Sequence, residues 1–80
     1  MTFVYLIQSL SQPEQRYVGV TDDLAQRMRD HNNGHSAHTS KYAPWEIVAA
    51  VQFWDCHQAW AFERYLKSGS GRAFAKKHFW

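Results

Sequence analysis

Near the start of the chain lie two runs of β-branched and aromatic residues, Phe3-Val4-Tyr5-Leu6-Ile7 and Arg16-Tyr17-Val18-Gly19-Val20, with the seven-residue stretch Ser9 to Gln15 as the loop between them. A parallel pair would need a crossover of about a dozen residues or more, so these strands are expected to pair as an antiparallel hairpin. Pro13 and its polar neighbours suit the connecting loop. Gly19 is out of place in a strand, and marks a bulge or the close approach of another backbone or a ligand.

Beyond the hairpin, Thr21 is a good N-cap, and Asp22 and Asp23 complement the positive end of a helix dipole. The first helix is expected from about Asp22 to Asn32, stopped by Gly34. A polar loop from His35 to Pro44 leads to a third strand, Trp45 to Trp54, carrying Ile47, Val48, Val51 and Phe53. Asp55 with Gln58 resembles a capping box, opening a second helix to about Ser68 that Gly69 ends. Ser70 is expected to cap a short last helix, Gly71 to Phe79. The order β-β-α-β-α-α, with helices packed on a small sheet, belongs to the α+β class.

At 80 residues the chain is expected to form a single domain, 1–80. A domain of this size buries only ~60% of its unfolded surface. Four Trp, four Tyr and five Phe supply the large buried areas that must compensate. A single cysteine, Cys56, permits no internal disulfide, which fits a reducing compartment. Met1 to Leu10 has no basic region of the kind that opens a signal peptide, and the apolar runs are too short to span a membrane. A cytoplasmic location and no membrane partner are therefore expected.

The second helix carries an anomaly. At ~100° per residue, Ala59, Phe62 and Leu66 fall on one stripe, and Glu63 falls inside it. A carboxylate on a core-facing stripe costs several kcal/mol unless a cation, a metal or catalysis requires it. The first helix shows a matching feature. Leu24, Met28 and His31 share a stripe, with Arg27 at its edge. Taken singly, Arg27 reads as a snorkelling side chain and His31 as a satisfied core histidine. Together with Glu63, they bring opposite charges from two helices towards one sheet. Tyr5 and Tyr17 suit ordinary strand packing and equally the rim of a polar pocket.

Charge is unevenly placed. The net formal charge is +2, yet Arg64, Lys67, Arg72, Lys76 and Lys77 follow Glu63 with no acidic residue among them. That balance suits either a solvated basic tail or a polyanionic partner. Thr39-Ser40-Lys41-Tyr42-Ala43-Pro44-Trp45 mixes hydroxyls, a cation and aromatics, the chemistry of a phosphate-contacting loop, though Tyr42 and Trp45 also suit a loop that pins itself to the core. His31, His35 and His38 lack the paired cysteines and spacing of a structural zinc site. Cys56 and His57 are adjacent, a poor arrangement for a nucleophile and its base.

Val4-Tyr5-Leu6, Tyr17-Val18-Gly19, Leu24-Ala25-Gln26-Arg27-Met28 and Glu63, in that order, resemble the GIY-YIG nuclease superfamily, in particular its small stand-alone bacterial members related to the N-terminal nuclease domain of the excinuclease C subunit. The Lys41-Tyr42-Ala43-Pro44-Trp45 loop and Lys67-Ser68-Gly69-Ser70-Gly71-Arg72 add to the likeness, which covers nearly the whole chain. The resemblance implies a three-stranded antiparallel sheet flanked by helices, and hydrolysis of DNA phosphodiesters with one divalent ion, Mg2+ or Mn2+. By the same resemblance, Glu63 binds the metal, Arg27 stabilises charge on the scissile phosphate, and Tyr5 and Tyr17 line the site. His31 stands where the family often has His or Tyr. Phe3 replaces the name-giving glycine, Val18 replaces isoleucine, and no Asn follows Asn33, although some branches carry one late in the chain.

The expected function is a metal-dependent DNA endonuclease of repair or recombination. Tyr5 is the base favoured by the resemblance and His31 the one favoured by its pKa. Contacts to nucleic acid are expected from Thr39, Lys41, Lys67, Arg72, Lys76 and Lys77. A monomer is expected, with a partner protein as a source of specificity. Two other readings stand beside this one. The first is a module of the same fold that binds nucleic acid without turnover. The second is a protein-interaction domain using aromatics such as Trp60 and Trp80.

Overall fold

β1 (Thr2–Ser9) is the middle strand of an antiparallel sheet ordered β2-β1-β3, in a computed structural model that describes residues Met1–Trp80. β2 (Arg16–Thr21) pairs along one edge of β1 and β3 (Trp45–Phe53) along the other. α1 (Leu24–Asn32) follows β2, while α2 (Cys56–Leu66) and α3 (Gly69–His78) follow β3. The α+β order β-β-α-β-α-α is as expected from the sequence. No helix is long and apolar enough to cross a membrane.

The continuous apolar run in β1 has a simple cause. Successive side chains of a strand point to opposite faces, and here both faces are covered. Val4 and Leu6 join Ala59, Leu66 and Ala75 of α2 and α3 in one buried cluster. Tyr5 and Ile7 join Trp45 in a second, against which Leu24 and Met28 of α1 pack. The sheet thus separates α1 from the α2–α3 pair.

Three helix starts differ in detail from expectation. Thr21 Oγ1 accepts from the Asp23 N–H at 3.1 Å, forming a turn, and Asp23 then caps α1 by accepting from Gln26 N. Asp55 caps α2 through the His57 N–H at 2.9 Å, with no returning bond from the Gln58 side chain. Ser68, not Ser70, caps α3, accepting from the Gly71 N–H at 3.2 Å. The earlier start of α3 follows from its packing on α2. A Cβ at Gly71 would lie 2.7 Å from the Leu66 Cα, so only glycine lets the first turn of α3 sit this close to the end of α2. α2 accordingly stops at Leu66, with Lys67 as its C-cap, instead of running to Ser68.

The bulge lies on β3, not at Gly19. Leu6 pairs with Ala49 and Ile7 with Ile47, so Val48 is the extra residue. The loop from Asn33 to Pro44 contains a short 3-10 turn, Ser40–Tyr42, and is pinned at several points. Asn32 accepts from the Trp45 N–H at 2.6 Å, Ser9 Oγ donates to the Tyr42 carbonyl at 2.6 Å, and the Leu10 N–H donates to the Pro44 carbonyl at 2.9 Å. The loop that follows α1 is thereby held against the sheet.

Candidate active site

Tyr5 is fully buried at the middle of β1, opposite Gly19 of β2. A Cβ at Gly19 would stand 2.6 Å from Tyr5 Cζ and 2.9 Å from Tyr17 Cε2. The close approach read from Gly19 is therefore made by the Tyr5 ring, which lies across the neighbouring strand where any larger residue would exclude it.

Three groups converge on or extend from the Tyr5 hydroxyl. Arg27 donates from Nε to Tyr5 Oη at 3.2 Å. His31, one turn along the same face of α1, places Nε2 2.8 Å from Tyr5 Oη and Nδ1 2.7 Å from Thr39 Oγ1. Thr39 is fixed in turn, because its carbonyl accepts from Trp45 Nε1 at 2.9 Å. The network assigns the tautomer. Arg27 takes a lone pair of Tyr5 Oη, the phenol donates to His31 Nε2, and His31 Nδ1–H donates to Thr39 Oγ1. Each of these groups then hands a hydrogen bond to the next.

Burial pushes the Tyr5 phenol above its usual range, and the Arg27 bond opposes that shift. Burial, followed by the positive charge of Arg27, holds His31 below the usual histidine range. Arg27 is raised further above its already high value, chiefly by its bond to Tyr5. Near neutral pH the site therefore holds a neutral phenol, a neutral imidazole and a guanidinium.

Glu63 stands on α2, and its charge is felt at Tyr5. Its side chain is 23% exposed, at the margin of the stripe formed by buried Ala59 and Leu66 and partly buried Phe62. The expectation of a core-facing charge is corrected in degree. The carboxylate sits at the stripe's edge, and Oε2 lies 2.6 Å from Lys67 Nζ one turn later. Lys67 Nζ is also 5.8 Å from the Tyr17 ring centroid. That ring is centred 6.2 Å from Tyr5 and 5.3 Å from His31. The Glu63 charge contributes to the raised pKa of Tyr5. Tyr5, Tyr17, Arg27 and His31 thus form one group, and Glu63 is tied to it through Lys67, which pairs with the carboxylate and lies over the Tyr17 ring.

The donor set suits a hard divalent cation. Mg2+ commonly takes one or two carboxylates together with substrate phosphates and water, and Glu63 is a partly exposed carboxylate whose one ion-pair partner, Lys67, is itself half-exposed. His31, His35 and His38 do not gather into a second centre. His31 is committed to Tyr5 and Thr39, His35 lies 3.4 Å from Asp30, and His38 lies against the Tyr17 ring.

The expected nucleic-acid contacts divide. Thr39 is 1% exposed and serves His31 and Trp45, so its hydroxyl is turned inward instead of towards a phosphate. Lys41 is exposed and lies over the Tyr42 ring, 5.3 Å from its centroid. Lys67, Arg72 and Lys76 line a cleft of ~530 Å³ between β2 and α3, while Lys77, also exposed, is not part of its lining. Arg16, His38 and Trp80 also line this cleft. Arg16 carried no functional signal in the sequence, where it read as the first residue of a strand, while His38 read only as a candidate zinc ligand and Trp80 only as a protein-interaction aromatic.

The family model for the GIY-YIG catalytic domain matches residues 1–77. A relative, the structure-specific endonuclease subunit SLX1 of Debaryomyces hansenii, is 37% identical over 54 residues, covering 60% of this chain and 16% of that protein. The chain thus spans about a sixth of that relative's length.

Proposed function

The chain belongs to the GIY-YIG family, and from that premise we infer that it is a metal-dependent DNA endonuclease that hydrolyses phosphodiester bonds. The observation that carries this reading is the hydrogen-bonded chain Arg27–Tyr5–His31–Thr39, with the Glu63 carboxylate linked to it through Lys67 and Tyr17. Phosphodiester hydrolysis needs a water relieved of a proton, charge relief on the phosphoryl oxygens and a stabilised leaving oxygen. These residues meet the first two needs.

Arg27 holds Tyr5 through Nε, which leaves its remaining N–H groups for a phosphate. The bound phosphate offsets the Arg27 charge, one of the causes that holds His31 low, so His31 gains basicity when substrate arrives. In this reading a water admitted with the substrate gives a proton to Tyr5 Oη, which is buried in the free chain, while the phenol's own proton passes to His31 Nε2. The hydroxide forms the new P–O bond, the ester P–O bond breaks, and the leaving oxygen takes its proton from solvent. Tyr5 and His31 then act as one base, which accommodates both candidates that the sequence raised. Thr39 holds the imidazole in the tautomer this transfer requires. Glu63 would hold one Mg2+ or Mn2+ ion, which when bound supplies Lewis acidity to a phosphoryl oxygen.

The printed name of the relative describes a structure-specific endonuclease subunit. A role in DNA repair or recombination, in the cytoplasm, with a protein partner adding specificity, is part of this proposal. The Glu63–Lys67 ion pair favours a second reading, a nucleic-acid-binding module without turnover, because the carboxylate is already paired. Nicking of supercoiled plasmid in Mg2+ or Mn2+, with Glu63→Ala as control, separates the two. Metal-dependent nicking lost in Glu63→Ala is the expected result. No nicking by the wild type under either metal would leave the binding module.

A further inference from the structure

We propose that the cleft between β2 and α3 seats an unpaired nucleotide of a DNA strand beside the proposed cleavage site. The proposal deepens the endonuclease reading and rests on it for the cleavage site, but the cleft's ligand is tested separately.

Charge comes first. Arg16, Lys67, Arg72 and Lys76 line the cleft and no acidic residue does. A net charge of +2 over the whole chain makes that concentration local, and a local excess of cations attracts a polyanion. Ring chemistry comes second. Trp80 and His38 line the same cleft, with the Arg16 guanidinium 4.9 Å from the Trp80 ring centroid. Cations for phosphates, interleaved with planar rings for bases, are how proteins hold single strands. Paired DNA hides its base faces in the stack and offers such rings nothing.

Size agrees. At ~530 Å³, the cleft falls in the range that takes one small ligand, which suits a splayed nucleotide and not a duplex. Its floor is fixed, because Leu66 and Ala75 line it and are core residues, each 2% exposed. Continuity places it beside the chemistry. Tyr17 and Lys67 line the cleft, and the same two residues contact the catalytic group, Tyr17 packing on His31 and Lys67 pairing with Glu63. A strand seated there leads directly to Glu63.

The test is fluorescence anisotropy on the full chain without divalent metal, using labelled hexathymidylate and a labelled blunt duplex. The double variant Arg72→Ala/Lys76→Ala, both residues exposed, should weaken hexathymidylate binding about tenfold or more and the duplex by a clearly smaller factor. Trp80→Leu should weaken hexathymidylate binding about fivefold through lost stacking. The charge-matched control Arg29→Ala/Arg64→Ala, also at exposed positions, should change it less than about twofold. Equal losses on both DNA ligands, or a control that loses as much as the cleft variant, would overturn the proposal. An unlabelled polyglutamate that displaces hexathymidylate as well as unlabelled oligonucleotide does would overturn it too, in favour of an acidic peptide. A chain that nicks plasmid but binds hexathymidylate independently of Arg72 and Lys76 overturns the cleft and leaves cleavage standing. A chain that binds through those residues but nicks nothing supports the cleft and overturns the endonuclease.

Discussion

Gly19 and Tyr5 face each other across the β1–β2 ladder, and the tyrosine ring fills the space where a side chain at position 19 would stand. Gly19→Ala must push the ring away, and with it the hydroxyl shared by Arg27 and His31. The substitution should cost ~1–3 kcal/mol in a urea melt, as overpacking does. Plasmid nicking should fall by about a hundredfold or more, the scale of a displaced catalytic group. A variant with normal nicking would mean that the Tyr5 position does not matter to the chemistry.

Tyr5→Phe keeps the ring and removes only the oxygen. It leaves His31 Nε2 buried without its partner, a loss of ~1–3 kcal/mol. Cleavage should drop by ~10²–10⁴-fold. Groups that act as one unit are not additive, so Tyr5→Phe combined with His31→Gln should cost little more than either alone. Single-turnover rates for the four proteins of the cycle measure this, and multiplicative losses would break the relay into two separate roles.

Glu63→Gln should leave the fold intact, because the lost Lys67 pair is partly solvent-exposed and worth only ~0.3–0.5 kcal/mol. Millimolar Mn2+ should raise the Tm of the wild type and leave that of Glu63→Gln unchanged. An equal rise in both proteins would place the ion elsewhere. This readout does not depend on turnover.

The depressed pKa of His31 sets an acid limit. The imidazole is held neutral in the fold by burial and by Arg27, whereas the unfolded chain titrates near the ordinary value of ~6.5. The unfolded state therefore binds the extra proton first as pH falls. The stability this histidine contributes is complete above ~6.5 and is lost as pH drops towards the folded value. Denaturant midpoints across mildly acidic pH should show that slope, and His31→Gln should flatten it. An unchanged slope in the variant would assign it to another group.

Arg27→Gln removes the cation that helps hold His31 low, so the imidazole should titrate at higher pH, as an NMR titration of the ring protons would show. Arg27→Lys keeps the charge and loses the planar fork. It should leave the His31 titration nearly in place while cleavage falls by ~10²–10³-fold. If Lys restores full activity, the guanidinium geometry is immaterial.

Much of this arrangement was legible because it rests on periodicity and spacing. Val4-Tyr5-Leu6-Ile7 reads as a strand wrapped on both sides, and β1 is the covered middle strand. Glu63, Arg27 and His31 violate or border apolar stripes, and such violations point to a site. Other features depend on contacts that spacing does not reveal. A threonine in a polar loop reads the same whether its hydroxyl meets a phosphate or, like Thr39, a buried histidine. Thr21 and Ser70 are as good caps by type as Asp23 and Ser68, and tertiary packing chose between them. Arg16 and Trp80 stand near opposite ends of the chain and meet only because α3 folds back across β2.

Gly71 lets α3 rest directly on the end of α2, where Lys67 forms the corner between them. Arg72 and Lys76 then stand along α3 at a set distance from Glu63, with no flexible linker between anchor and carboxylate. The spacing between these cations and the carboxylate is therefore set by a single backbone contact, and a side chain at position 71, meeting the backbone of α2, would part the two helices and lose that spacing.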